Sequence, residues 1–458
     1  MKTRAIPALI TALFVFSLAS CTIDPEKGNG SDSLSSAKES SSLSSLEEAK
    51  GNISFVLNED GQSYSVTGDF NKSITGEVIV PRTYNGLPVT RVKEKAFSHS
   101  YMSSIRLPDT IVEIGEYAFG DCYGLREVSF GNGLTIIGDY AFAYSRGIEK
   151  ISIPDSTITI GKGAFLECSY TKFLSFGKNL EHIGDNAFRG CMGINNALLL
   201  PEGLTHIGEC AFNSTSITMV YIPKSVDYIG YGAFTNNSLF EHIGVDVENE
   251  TYSSINGVLY DKAQNEVLCF PSAKSPFYIP DTVSYIGDTA YWNCAYIGES
   301  LVIPDNIIKI GDSAFHGNNN LKTVTLGSNV AVMGDAAFGG CLNLVEINLN
   351  EGLTAIPQYC FNCTDIASLS LPSTIVSIGK RAFSSCGLLE SLTINRGLKS
   401  IEDDVFQSCY NLTALNYEGT MSEWNQIDRS ENWLSESFVE TIHCSDGDVS
   451  VTQERETI

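Results

Sequence analysis

Leu125-Arg126-Glu127-Val128-Ser129-Phe130-Gly131-Asn132-Gly133-Leu134-Thr135-Ile136-Ile137-Gly138-Asp139-Tyr140-Ala141-Phe142 is one copy of a unit that runs through most of the chain. Its closing Phe recurs every 22 to 24 residues, at Phe97, Phe119, Phe142, Phe165, Phe188, Phe212 and Phe234, then at Phe315, Phe338, Phe361, Phe383 and Phe406. Tyr291 fills the same slot. A period of that length predicts a solenoid, because a unit this short cannot bury its own apolar face and must stack on its neighbours. The Leu-x-x-Val-x-Phe portion alternates as a short strand, two residues inward and the one between them outward. Stacked copies give a parallel sheet on one face, and Ala-Phe reads as a short helical or 3₁₀ turn whose Phe fills the core. The glycine after Ile (Gly115, Gly138, Gly161) implies either a turn with positive φ or a close backbone approach.

The ends carry other signals. Lys2 and Arg4 precede an apolar run over residues 7–18, and Leu18-Ala19-Ser20-Cys21 follows, so residues 1–20 read as a secretory signal. The small residues before Cys21 resemble a bacterial lipobox, which implies a diacylglycerol anchor on Cys21. Residues 21–50, poor in large apolar side chains and rich in Ser, read as a flexible tether. The formal charge of −25 argues against nucleic acid as a partner and is read first as a source of solubility.

Twelve cysteines remain beside Cys21. Cys122, Cys168, Cys191, Cys294, Cys341, Cys386 and Cys409 each lie three residues after the repeat aromatic, a slot that Ser145, Thr215, Asn237, Asn318 and Thr364 fill elsewhere. Interchange among these small polar types favours a stacked ladder over a disulfide framework. A metal centre is not expected: the nearest approach to a ligand pair, Cys360-Phe361-Asn362-Cys363, is weak, with neighbouring ladder cysteines a full repeat away, and His182 and His206, although in adjacent repeats, have no third ligand beside them. Asp446-Gly447-Asp448 reads as a surface turn rather than a calcium ligand set. The six histidines fall in different repeats with no nucleophile elbow, zinc-protease helix or phosphate loop, so no catalytic residue and no cofactor are expected.

The pattern Ile-Pro-x-x-Val/Ile-x-x-Ile-Gly-x-x-Ala-Phe-x-x-Cys resembles the BspA-type (treponemal) leucine-rich repeat over residues 89–415. Residues 61–89, with Tyr64-Ser65-Val66-Thr67-Gly68 and Pro81-Arg82-Thr83-Tyr84-Asn85-Gly86, resemble the leading segment of that family. Tyr417-Glu418-Gly419-Thr420, Trp424, Trp433 and His443-Cys444-Ser445-Asp446-Gly447 resemble a terminal segment found after the last repeat. Phe234 and Tyr291 stand 57 residues apart, 34 more than one repeat of 23, and Tyr252 to Tyr260 with residues 266–271 resembles the family's hairpin insertion. The organisation expected is an N-terminal β cap at 51–90, a leucine-rich-repeat solenoid at 91–415 with an insertion at about 246–275, and a C-terminal cap at 416–458. The resemblance implies a lipid-anchored protein of the bacterial envelope, at the outer membrane and exposed on the surface. It further implies adhesion to a protein ligand: a host matrix or plasma protein, or another bacterial surface protein. A glycan ligand and a non-catalytic envelope scaffold are the alternatives.

Reading the outward residue of each strand along the chain gives a column that is polar at both ends and apolar in the middle. With its neighbouring column it yields one expected exposed patch: Phe173, Leu199, Met219, Tyr221, Tyr278 and Val302. Two readings compete with it. The insertion folds over these residues, or the strand register slips by one and exchanges inside for outside.

Overall fold

The computed structural model describes residues 49–69 and 73–451. Cys21, the signal and most of the tether lie outside these residues.

Each repeat contributes two strands, one to each of two parallel ladders. The first ladder is built from the Leu-x-x-Val-x-Phe strands, such as Lys150–Ser152 and Phe173–Ser175, which pair Lys150 with Phe173 and Ser152 with Ser175. The second is built from residue pairs that end at the Ile before Gly. Glu113–Ile114, Ile136–Ile137, Thr159–Ile160, His182–Ile183, His206–Ile207 and Tyr228–Ile229 follow one another in it without a break. Alternation sets what is buried: Ile151 and Ile137 point in, while Lys150, Ser152 and Ile136 point out.

The corner between the ladders is a pair of tight turns rather than a helix, and the reason is local. Tyr117 and Asp121, four residues apart, both have positive φ, 51° and 58°, and a right-handed helix does not accommodate left-handed residues in its interior. Their N–H groups run along the solenoid instead, Tyr117 N to Asp139 O at 3.0 Å and Asp121 N to Ala143 O at 2.8 Å. The motif glycine answers to close approach: a Cβ on Gly138 would stand 2.6 Å from Ile114 O of the previous turn. Positive φ therefore falls two residues after the glycine, not on it. Among the described residues the one helix is Met421–Trp424, started by a capping box between Thr420 and Glu423.

The motif phenylalanines stack face to face along the core, Phe119 on Phe142 at 4.8 Å and Phe142 on Phe165 at 5.1 Å. Beside them runs the polar ladder. Cys122, Cys168, Cys191, Cys341, Cys386 and Cys409 each set Sγ 3.0–3.3 Å from the carbonyl oxygen of the phenylalanine one turn earlier. Ser145 Oγ donates to Phe119 O at 2.6 Å and Asn318 Nδ2 to Tyr291 O at 2.9 Å, which explains why these residue types interchange. All twelve described cysteines are free thiols, eight of them buried. Burial holds the Cys386 thiol up at about 11 and the Cys341 thiol at about 12, so neither forms the nucleophilic thiolate near neutral pH. Titration with Ellman's reagent is accordingly expected to count at most a few fast thiols in the native protein and twelve in the unfolded fragment 49–451. Fast reaction of the ladder cysteines in native protein would contradict this packing.

The segment between Phe234 and Tyr291 divides the core. Tyr252–Ile255 and Val258–Asp261 form a hairpin, and Glu266–Cys269 returns antiparallel to the second strand and parallel to Tyr285–Ile286. Val258–Asp261 has apolar side chains buried on both faces: Val258 and Tyr260 pack into the core that continues to Val451, Leu259 into the one that begins at Val66. The solenoid thus holds two cores with one strand as the septum. At the far end Trp424 and Trp433 pack into the second core, Asp428–Arg429 ends the second ladder, and the hairpin Thr441–Cys444 with Gly447–Ser450 ends the first. Asp446 accepts Met421 N at 2.7 Å, at the start of the helix, and Asp448 meets His443 Nδ1 at 2.9 Å within the hairpin, so both carboxylates of that turn have a partner in the cap.

Candidate binding surface

The outward residues of the first ladder form straight columns because parallel pairing keeps equivalent residues opposite one another. Leu199 stands opposite Tyr221 and Tyr221 opposite Gly244; Met219 stands opposite His242. Phe173 and Leu199 are 62% and 77% exposed, so the insertion does not fold over them and the inside–outside assignment of these strands is as the alternation reads. Met219 and Tyr221 are exposed as well.

Tyr221 is held in place from two sides. Its ring lies over Gly244, where an added Cβ would be 2.9 Å from Cδ2, and its hydroxyl donates to Asp246 at 3.2 Å. Partial burial and the Asp246 carboxylate push the phenol above its ordinary range, so it stays a neutral donor. The polar rim comes from Ser152, Ser175 and Lys150 on the preceding strands.

Two expected members of the patch lie elsewhere. Tyr278 belongs to no strand and is half-buried: its ring packs edge-on against Phe270 at 5.5 Å, and its carbonyl accepts the Tyr291 hydroxyl at 3.2 Å. The column position after Tyr221 belongs to Gly244, on His242–Val245, because the repeat runs one strand further before the insertion begins. Val302 is exposed, but on Ser300–Val302, which starts a separate three-stranded ladder. The exposed apolar residues of one three-stranded ladder are therefore Leu199, Met219 and Tyr221, and Phe173 extends the strip from the two-stranded ladder of the repeat immediately before.

Residues that the strand columns do not include extend the apolar surface. Met192 follows the ladder Cys191 directly and Tyr170 follows Cys168 by two, and both are exposed at the corners that lead into these strands. Their signal was readable: Tyr123, Met192, Leu342 and Tyr410 are all large exposed side chains placed directly after a ladder cysteine.

On the second ladder His182, His206 and Tyr228 form a ring stack with centroids 4.2 and 4.4 Å apart. Burial and the neighbouring His182 hold the His206 imidazole below its ordinary pKa, which favours the neutral ring. Among the described residues no group of three or more His, Cys, Asp or Glu is placed to hold a metal ion.

A family model described as the BspA-type leucine-rich repeat region, present in six copies, matches residues 90–199, 172–298 and 284–413. The chain belongs to the BspA-type leucine-rich repeat family. Among solved structures it is similar to a leucine-rich cell surface protein of Faecalibacterium prausnitzii, at 27% identity over 83% of this chain and 97% of that one, with a TM-score of 0.64. The BspA-type fold is shared with a leucine-rich repeat protein of Eubacterium ventriosum, at 23% identity over 89% of this chain and 98% of that one, TM-score 0.54. It is shared also with the pneumococcal vaccine antigen PcpA, at 21% identity over 91% and 96%, TM-score 0.57. No curated protein matches the chain.

Proposed function

We propose that this BspA-type protein is a lipid-anchored surface protein of a bacterium, carried on Cys21, that binds a protein ligand through its first ladder and acts in adhesion. The observation that supports this reading is the strip Phe173, Leu199, Met219 and Tyr221, four large side chains left in solvent on three successive repeats of the solenoid with a polar rim. Strand geometry does not require them there, since the same columns hold Ser, Thr and Asn in other repeats. Exposed apolar side chains grouped on one rigid surface favour a partner that covers them. The cell surface location named for the Faecalibacterium relative points the same way.

The test is binding of the soluble fragment 51–458 to immobilised matrix and plasma proteins beside a glycan array. Saturable binding to a protein is expected, and Leu199→Asp combined with Tyr221→Ala should weaken it at least about tenfold, the loss of roughly 1.4 kcal/mol. Unchanged binding by that folded double variant removes the strip from the reading. Binding to glycans alone replaces the protein ligand with a sugar, and silence on both arrays leaves an envelope scaffold.

A further inference from the structure

Every regular corner of the second ladder hands three backbone N–H groups to the next turn. Tyr140 donates to Lys162 O, Phe142 to Ala164 O and Tyr144 to Leu166 O, each at 2.7 Å. At residues 231–236 this stops: among the described residues, no acceptor meets the N–H of Gly232, Phe234 or Asn236.

The cause is the strand Glu266–Cys269. It takes the next place in the ladder, with Val267 opposite Ile286, and Phe270 then donates to Ala290 O at 2.7 Å and stacks on Tyr291 at 5.1 Å. A regular turn places four residues between its Ile and its Phe, as between Ile137 and Phe142, whereas only Leu268 and Cys269 separate Val267 from Phe270. The corner is cut short. In its place lies a cavity of about 220 Å³ between residues 231–235 and Asp288–Thr289, with Tyr252, Leu259 and Leu268 at its apolar side. Tyr231 reaches past the gap to Ser313 in the second corner beyond.

Two carboxylates, Glu266 and Asp288, also line the cavity, and neither forms an ion pair with a lysine or arginine among the described residues. Lys309 acts on Glu266 from two strands away, through the register Glu266–Tyr285–Lys309. Asp288 Oδ1 accepts Asp312 N at 2.8 Å, which leaves its other oxygen for a further donor.

We infer that this cavity receives a short peptide turn bearing a basic side chain, a segment of a partner protein that completes the cut corner. In a regular corner the carbonyls that face Tyr140 and Phe142 belong to residues 162 and 164, positions i and i+2 of one chain. A peptide main chain supplies that spacing to Gly232 and Phe234, as in other main-chain recognition by open backbone groups. The side chain at the first of those positions occupies the column between Tyr231 and Asp288, where an ammonium pairs with the two carboxylates. The volume is below that of a drug-sized site, roughly 300 Å³ and upward, and suits one or two residues. This inference does not rest on the apolar strip.

The probe is Ac-Gly-Lys-Gly-Ala-NH₂, which copies the corner Gly161-Lys162-Gly163-Ala164 of this chain, titrated calorimetrically into fragment 51–458. One saturable site is expected, with Ac-Gly-Asp-Gly-Ala-NH₂ at least about tenfold weaker. Glu266→Gln with Asp288→Asn keeps every acceptor oxygen that the fold uses and should weaken the lysine peptide about tenfold without moving the melting curve. Leu268→Trp should fill the cavity and abolish binding. The inference is overturned if the lysine peptide does not saturate, if the two peptides bind alike, or if the charge-neutral pair binds as wild type. Should Leu268→Trp fail to fold, the charge-neutral pair decides alone. The strip variant Leu199→Asp with Tyr221→Ala should bind the peptide normally, which keeps failure of this site distinct from failure of the adhesion reading.

Discussion

Phe188→Ala is expected to destabilise the first core by about 3 to 5 kcal/mol and to leave the second core nearly untouched. Phe188 is fully buried, stacked on Phe165 and on Phe212 at 5.3 Å each, with Phe176 edge-on at 5.7 Å. Truncation removes the ring's own transfer energy and opens a cavity bounded by these three rings, which cannot close it, since each is held by its own turn. A loss of this size is a large share of the roughly 5 to 15 kcal/mol that stabilises a typical domain. In a solenoid it is felt by neighbours rather than by the whole.

The septum at Val258–Asp261 makes that statement measurable. All three tryptophans, Trp292, Trp424 and Trp433, lie beyond it, so tryptophan fluorescence reports the second core while far-UV circular dichroism reports both. In wild type the two probes are expected to coincide. In Phe188→Ala the dichroism should lose an early fraction at low denaturant while fluorescence keeps its wild-type midpoint. Coincident transitions shifted together would mean that the septum transmits rather than divides, and that the solenoid unfolds as one unit.

How far the sequence carries can be judged at Tyr221 and Tyr278. The period, the inward Phe, the small polar ladder and the outward columns were all legible, because each repeats a dozen times and local alternation fixes which side faces the core. Tyr278 was not. Its assignment treated the extra 34 residues as a hairpin inserted between two ordinary turns, so that the strand after Tyr221 had to resume near residue 278. The structure instead continues the first ladder at once, 23 residues on, through His242-Ile243-Gly244-Val245. The last strand of the insertion then serves as a shortened repeat of the second ladder. Glycine in the outward slot and the two-residue spacing between Val267 and Phe270 hid both facts, since neither matches the motif that a period search follows. The glycine reading left two alternatives open, and close approach is the one the structure bears out. Close approach and positive φ both select glycine, and only the stacked backbone shows that the first acts at Gly138 and the second at Tyr140, a residue that no propensity argument would choose.

Asn318→Ala is the second substitution with a large expected effect, about 3 kcal/mol or more, although it removes only a small polar side chain. Asn318 is 1% exposed and saturates its amide: Oδ1 accepts Cys294 N at 2.7 Å, and Nδ2 donates to Tyr291 O at 2.9 Å and to Phe315 O at 2.7 Å. Alanine leaves Cys294 N–H and Tyr291 O buried without partners and Phe315 O with the weak Cys341 thiol alone, and each buried unpartnered group costs about 1 to 3 kcal/mol when water cannot reach it. Asn318→Cys should cost less, because a thiol at this slot reaches the carbonyl one turn earlier, as Cys341 reaches Phe315 O at 3.3 Å. It leaves Cys294 N unserved, so the expected loss is about 1 to 2 kcal/mol. Cys341→Ser, which exchanges one weak donor for a stronger one, should be close to neutral. The order Ala, then Cys, then wild type in chemical denaturation, read by the adjacent Trp292, is what a hydrogen-bond ladder requires. If Ala and Cys cost the same, the slot selects for size alone, and the interchange of Cys, Ser, Thr and Asn along the solenoid reflects packing rather than the pairing of the phenylalanine carbonyls.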